Sequence, residues 1–284
     1  MPNSKIASAL ASCLSNGLKI PRIHLGVYMT SGKECENAVK YALEAGYRAI
    51  DSAAWYYNEG DVGQAIRSFI NKAPGIKRED IFFTTKLQRN ISYEATKRAI
   101  SDSLNRSGLE YIDLYLLHSP FGGKAMRLEC WRALMDAVEQ GTIKSAGVSN
   151  FGVKHLKELL DSNPRIKPAV NQVEAHPFNT QTAIVNFCEE NSITIEAYAP
   201  LARAMRFENP TIEALSGKYQ CTPAQLMVRW SLQKGYVTLP KSVKKERIIS
   251  NVAVDKFVIE DGDMKLMDGL DEHLVTDWDP TDCD

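Results

Sequence analysis

The sequence predicts an α/β chain: a single (β/α)₈ barrel of the TIM type over residues 1–284, its bottom closed by an N-terminal β-hairpin. Three observations carry that reading. Short apolar or β-branched runs alternate with amphipathic helical patterns eight times, at roughly thirty residues per unit. No Pro/Ser-rich linker or low-complexity run interrupts the alternation. And 284 residues exceed the usual single-domain size, a length that an α/β barrel fills as one domain.

Taken in order, Asn16-Gly17 between Leu14 and Ile20 is the strongest short hairpin signal. Ile23–Val27 reads as the first strand, and Ala38, Val39, Ala42 and Leu43 mark a helix stopped near Gly46. The run ending at Asp51 is the second strand, and Val62, Ala65, Ile66 and Phe69 give the next helical stripe. Ile81–Lys86 is the third strand, and Ala99, Ile100, Ser103 and Leu104 lie on a helix ending near Gly108. Tyr111–His118 is apolar enough to be buried on both faces. Leu128, Trp131, Leu134, Met135 and Val138 follow as a helix closed at Gly141. Strands are predicted over 143–149, 169–174, 194–198 and 236–240, with helices around Leu156–Leu160, over 224–233 and over 247–252, before an acidic tail.

Composition excludes several classes. A formal charge of -1, from 34 basic and 35 acidic side chains, offers no field for nucleic acid or an anionic membrane. No apolar run approaches the ~20 residues that span a bilayer, and the stretch after Met1-Pro2-Asn3-Ser4-Lys5 is too broken for a secretory core. Six cysteines lie far apart without a CxxC pair, which predicts reduced, cytoplasmic thiols and no metal site. Nothing in the pattern predicts an obligate large interface, so a monomer or weak dimer is expected.

In such barrels chemistry gathers at the C-terminal ends of the strands, above an interior that is merely packed. Here those ends carry Asp51, Lys86, His118, Ser149-Asn150, Gln172, Tyr198 and Lys241-Ser242, with Tyr56 in the turn after the second strand. A phenol with a reference pKa near ~10 is a poor acid at neutral pH, and an ammonium beside it lowers that pKa. A carboxylate paired with the lysine keeps the ammonium in place, and a histidine can orient a carbonyl oxygen. This set suits proton donation to an oxygen that becomes an alkoxide as hydride reaches carbon. There is no nucleophile–base pair, no metal-ligand cluster, no GxGxxG and no Walker A sequence.

Over nearly its whole length the chain resembles the aldo-keto reductases, in particular NADPH-dependent ones of the fungal kind. The motifs are Gly46-Tyr47-Arg48 through Asp51-Ser52-Ala53 to Tyr56-x-Asn58-Glu59, Thr85-Lys86, Leu117-His118-Ser119-Pro120 and Gly147-Val148-Ser149-Asn150-Phe151. Gln172 with Glu174, Tyr198-Ala199-Pro200-Leu201 and Leu239-Pro240-Lys241-Ser242 before Arg247 complete them. The resemblance implies an NADP-dependent alcohol dehydrogenase-type activity on small carbonyl compounds. Tyr56 would be the proton donor, Asp51 and Lys86 its tuning pair and His118 the carbonyl-orienting group. Ser149, Asn150 and Gln172 would hold the nicotinamide carboxamide, and Tyr198 would stack on the ring. Lys241, Ser242 and Arg247 would take the 2′-phosphate and Asn251 the adenine, with Pro200, Leu201 and Val243 as further cofactor contacts.

Where relatives often carry Trp, this chain has Gln88 and Ser119, and where they often carry Glu it has Ser250. The substrate wall is therefore expected from Tyr28, Trp55, Gln88, Ser119 and Trp278, less aromatic than usual and open to polar substrates. Two rival readings stand beside a reductase: a Lys86 Schiff-base aldolase, and a non-catalytic barrel that binds NADPH as a sensor. His24, His155, His176 and His273 are read as structural or exposed.

Overall fold

The computed structural model describes residues 11–284, so the reading of Met1–Lys5 lies outside the described residues. Strands β1 (Ala11–Cys13) and β2 (Lys19–Pro21) pair antiparallel around the Asn16-Gly17 turn, Cys13 opposite Lys19. Gly17 supplies the positive φ (84°) that the turn needs. The barrel strands are β3 (Leu25–Gly26), β4 (Ala49–Asp51), β5 (Phe82–Leu87), β6 (Ile112–Leu117), β7 (Ile143–Ser149), β8 (Val170–Glu174), β9 (Thr194–Tyr198) and β10 (Val237–Leu239). They lie parallel in chain order. Bridges Ile23–Thr238 and Gly26–Lys241 join the last strand to the first and close the ring.

The hairpin is the floor. Leu14, Leu18 and Ile20 pack against Ala49, Phe82, Leu114, Leu116, Val170 and Val237, and the Asn16 amide donates to the Lys144 carbonyl at the start of β7. Outside the ring run α1 (Gly32–Glu44), α2 (Glu59–Lys72), α3 (Tyr93–Ser107), α4 (Gly123–Glu139), α5 (Val153–Asp161), α6 (Thr182–Glu190), α7 (Pro210–Lys218), α8 (Pro223–Gln233), α9 (Lys245–Val252) and α10 (Asp261–Asp268). Helices α6, α7 and α10 were not anticipated. Yet α7 begins with the Asn209-Pro210 cap signature, and α6 carries buried Ile184, Val185 and Cys188 at helical spacing. The segment expected to be only an acidic tail contains α10, whose Met267 is buried. Among the described residues no helix is long and apolar enough to cross a membrane.

Close packing of α2 on the end of α3 depends on Gly63: a Cβ there would overlap the backbone of Ser107. Gly63→Ala is therefore expected to destabilise the fold by about 1–3 kcal/mol, the usual cost of overpacking. A urea midpoint unchanged from wild type would show that the two helices separate freely.

The interior above the floor is not merely packed. His24, Thr84, Gln172, Glu196 and Thr238 are buried there, and several form a polar column reaching up to Asp51. Gln172 links Glu196 to Asp51, whereas the Thr84 and Thr238 hydroxyls, His24 Nδ1 and Glu196 Oε1 are left without a hydrogen-bond partner.

Candidate active site

The turn after β4 is built to aim one side chain. Ser52 and Asn58, both fully buried, lock together: the Ser52 hydroxyl donates to the Asn58 carbonyl oxygen at 2.6 Å. The Asn58 amide in turn donates to the carbonyls of Val27 and Thr30, each at 2.9 Å. Glu59 accepts from the Thr85 hydroxyl (2.6 Å) and from Arg106 (2.7 Å). These fastenings pin both ends of a short 3₁₀ turn, Ala54–Tyr56, and leave Tyr56 facing the C-terminal mouth of the barrel. Three polar residues of this stretch, Ser52, Asn58 and Glu59, thus serve as scaffold for the others.

Asp51 and Lys86 form an ion pair at 2.7 Å, and the ammonium also donates to the Ser52 carbonyl at 2.8 Å. Lys86 is fully buried and Asp51 nearly so, so the pair belongs to the interior rather than to a polar rim. The ammonium lies 5.0 Å from the centre of the Tyr56 ring. Burial nevertheless pushes the Tyr56 phenol well above its ordinary range, and the charge of Asp51 adds to that push. Desolvation sets the net direction, so the phenol stands above its ordinary range despite the ammonium beside its ring. Burial, with Lys86 adding, holds the His118 imidazole well below its usual range. His118 is therefore neutral, with its ring 5.7 Å from that of Tyr56.

Asp51, Tyr56 and His118 border one cavity of about 970 Å³, with Lys86 buried behind them. At its floor lie Ser149, Asn150, Gln172 and Tyr198. Asn150, in the left-handed region (φ 60°), donates from its amide to the His118 carbonyl and the Ser149 hydroxyl. Its own oxygen accepts from the Tyr198 hydroxyl at 3.0 Å. The Tyr198 ring is thus held in a fixed plane against the cavity. Gln172 spends both amide hydrogens inside the barrel, on Asp51 (2.9 Å) and Glu196 (2.7 Å), which leaves its carbonyl oxygen to accept from a ligand amide. Pro200, Leu201, Lys241, Ser242, Arg247, Ser250 and Asn251 continue the lining toward the opposite end. Among the described residues Lys241 and Arg247 make no ion pair, so this end presents free cations. Val243 lies outside the lining, packed on the core.

The substrate end is aromatic. Trp55, His118 and Trp278 meet edge to face at centroid separations of 6.0–6.4 Å, and Tyr28 tilts onto Tyr56 at 5.0 Å. Gln88 and Ser119 do not line the cavity: the Gln88 amide donates to the Tyr57 hydroxyl, and Ser119 is buried beneath its own loop. The aromatic lining is thus Tyr28, Trp55 and Trp278, and Phe121, which the sequence reading missed, backs Trp278 from outside the lining with its ring centre 5.7 Å away. Phe121 is fixed because the Asn90 amide donates to the Ser119 and Phe121 carbonyls, each at 2.8 Å. The tail that carries Trp278 is tied down by Thr276 donating to Glu174 (2.5 Å) and by the Arg203–Asp277 ion pair (2.9 Å). Arg203 and Asp277 also line the cavity and were not foreseen, since only the docked tail brings them together. Of the histidines set aside, His24, His155 and His176 are buried and hydrogen-bonded, and His273 is exposed.

A barrel with a tyrosine, a buried lysine–carboxylate pair and a neutral histidine at the mouth of a long cationic-ended groove defines a class of oxidoreductase barrel. Residues 23–272 match the aldo/keto reductase family, and the chain belongs to it. It is 46% identical over 267 residues to an uncharacterized oxidoreductase of Schizosaccharomyces pombe, covering 94% of this chain and 96% of the relative. It is 41% identical over 261 residues to a glyoxal reductase of Bacillus subtilis, covering 91% and 92%. The crystal structure of a Bombyx mori aldo-keto reductase in complex with NADP superposes with a TM-score of 0.88 at 33% identity, covering 94% of each chain.

Proposed function

We propose that the protein is an NADPH-dependent reductase that converts aldehydes and ketones to alcohols, with Tyr56 as the proton donor. The observation that carries this reading is the convergence of Tyr56, the Lys86–Asp51 pair and His118 on one cavity with Tyr198 and free cations along its length. When bound, NADPH supplies hydride to the carbonyl carbon. The Gln172 carbonyl and the Ser149–Asn150 turn suit the nicotinamide carboxamide, and the fixed ring of Tyr198 suits stacking on it. Neutral His118 orients the substrate oxygen without competing as an acid, and the phenol, protonated across the physiological range, delivers the proton. The wall of Tyr28, Trp55 and Trp278 favours carbonyl compounds with a flat or apolar body, to be tested with aromatic and small dicarbonyl aldehydes. The likeness to a glyoxal reductase supports including the latter. All six cysteines are free, which fits action in a reducing compartment such as the cytoplasm.

The aldolase alternative is disfavoured by the burial of Lys86 and its pairing with Asp51, since a Schiff base needs a neutral, reachable amine. A barrel that only senses the nucleotide would bind NADPH without turnover. Monitoring NADPH absorbance over a panel of aldehydes separates these readings, and binding without any consumption would leave only the sensor.

Cofactor choice follows from the free cations. Arg247 and Lys241 face the end of the cavity where a 2′-phosphate would lie, and charge-assisted pairing there is exposed and hence discounted. Arg247→Ala is expected to weaken NADPH binding by about 10–100-fold and NADH binding by less than about threefold. Intrinsic fluorescence titration with both cofactors measures this, and equal losses for the two would reduce the segment to charged surface.

A further inference from the structure

Behind the site, the polar column ends in two groups that the proposed chemistry does not use. Glu196 on β9 and His24 before β3 are fully buried. Glu196 Oε1 and His24 Nδ1 face one another across 3.6 Å, and neither atom has a hydrogen-bond partner. His24 Nε2 sits 2.9 Å from the Pro21 carbonyl oxygen. A carbonyl only accepts, so that nitrogen carries the ring's hydrogen, and a neutral His24 turns a lone pair toward Glu196. Two facing lone pairs in a dry interior repel, and one proton between them makes the approach attractive.

The other carboxyl oxygen of Glu196 accepts from the Gln172 amide at 2.7 Å, and the same amide donates to Asp51 at 2.9 Å. Gln172 is thus a relay between Glu196 and the carboxylate that pairs with Lys86. The groups facing Glu196 are His24 just before β3, Gln172 on β8, Asp51 on β4 and Lys86 on β5; the Phe82 ring covers His24 at 5.6 Å.

We propose that Glu196 is a positioning residue, holding a proton at neutral pH so that Gln172 is shared evenly with Asp51, and that loss of this proton weakens the Tyr56 donor. An ionised Glu196 would draw the amide toward itself and set a second negative charge behind Asp51, so the phenol would hold its proton more tightly. Burial, with Asp51 adding, pushes the Glu196 carboxyl up to about 8, whereas burial takes the His24 imidazole down to about 3, which puts the shared proton on the acid. The inference rests on Tyr56 being the donor, but the location of the proton does not.

Two readouts separate those claims. Infrared difference spectra across pH should show the carbonyl stretch of a protonated carboxylic acid in the wild type at neutral pH, fading as pH rises through about 8, and absent from Glu196→Gln. No such band in the wild type would overturn the proposal without any reference to turnover. In kcat profiles, wild type should fall about tenfold from neutral to alkaline pH, and Glu196→Gln, which copies the protonated acid, should flatten that limb. Glu196→Leu should lower neutral-pH kcat about tenfold, and Glu196→Gln should recover most of the loss. An alkaline limb of the same depth in Glu196→Gln would overturn the positioning role. Wild type without carbonyl turnover would instead strike the reductase reading and leave the infrared result to decide the proton.

Discussion

Replacing Tyr56 by phenylalanine is expected to lower kcat by roughly 10²–10⁴-fold, the usual contribution of a positioned acid, while leaving NADPH affinity within about twofold. The change removes one oxygen and keeps the ring, so the contacts with Tyr28 and His118 at 5.0 and 5.7 Å survive and the turn stays fastened through Ser52 and Asn58. The burial that lifts the phenol well above its ordinary range keeps it protonated through neutral pH, so its own ionisation removes no donor there. Nor can His118 readily take over: an imidazole held well below its usual range is neutral at neutral pH, and its remaining N–H is a far weaker acid than an imidazolium. Stopped-flow turnover with cofactor titration measures both quantities. Near-normal kcat in the variant would move the acid elsewhere, with Tyr57 the nearest phenol in sequence.

Lys86→Met is expected to abolish most turnover and also to destabilise the protein, by about 3–5 kcal/mol for a buried ion left without its partner. The ammonium is fully buried and makes two charge-assisted contacts, to Asp51 and to the Ser52 carbonyl; without it, Asp51 retains only the Gln172 amide among its side-chain partners. The two losses can be told apart by adding Asp51→Asn. The double variant removes both charges and should regain much of the stability lost by Lys86→Met, while activity stays low. Thermal unfolding and turnover on the four proteins of the cycle test this. A double variant as unstable as the single would show that Lys86 acts through packing. Borohydride trapping of a substrate adduct on wild-type Lys86 would replace the mechanism altogether.

The barrel was legible because its signals are local. β-branched runs, helical stripes and the Asn16-Gly17 turn each follow from backbone geometry within a dozen residues, and eight repeats admit few other arrangements. Helices α6, α7 and α10 escaped because their apolar stripes are short, and their stability comes from packing on neighbours rather than from periodicity. The same holds at the substrate wall. Phe121 and Trp278 lie 157 positions apart in sequence, and the Asn90 clamp on one loop and the Glu174–Thr276 contact on the tail bring their rings into tilted contact.

By itself the sequence determined the strand ends on which Asp51, Lys86, His118, Gln172 and Tyr198 stand, because a parallel strand's last residues must emerge at one face of a barrel. Tertiary structure alone decided their electrostatics. Whether Lys86 lowers a phenol's pKa depends on how much water remains and on which carboxylate stands nearer, and neither can be read from residue types. The column from His24 through Glu196 and Gln172 to Asp51 is the sharpest case: each is a stray polar group in its own segment, and only the closed ring brings them together at its axis, where Gln172 joins Glu196 to Asp51 and Glu196 faces His24.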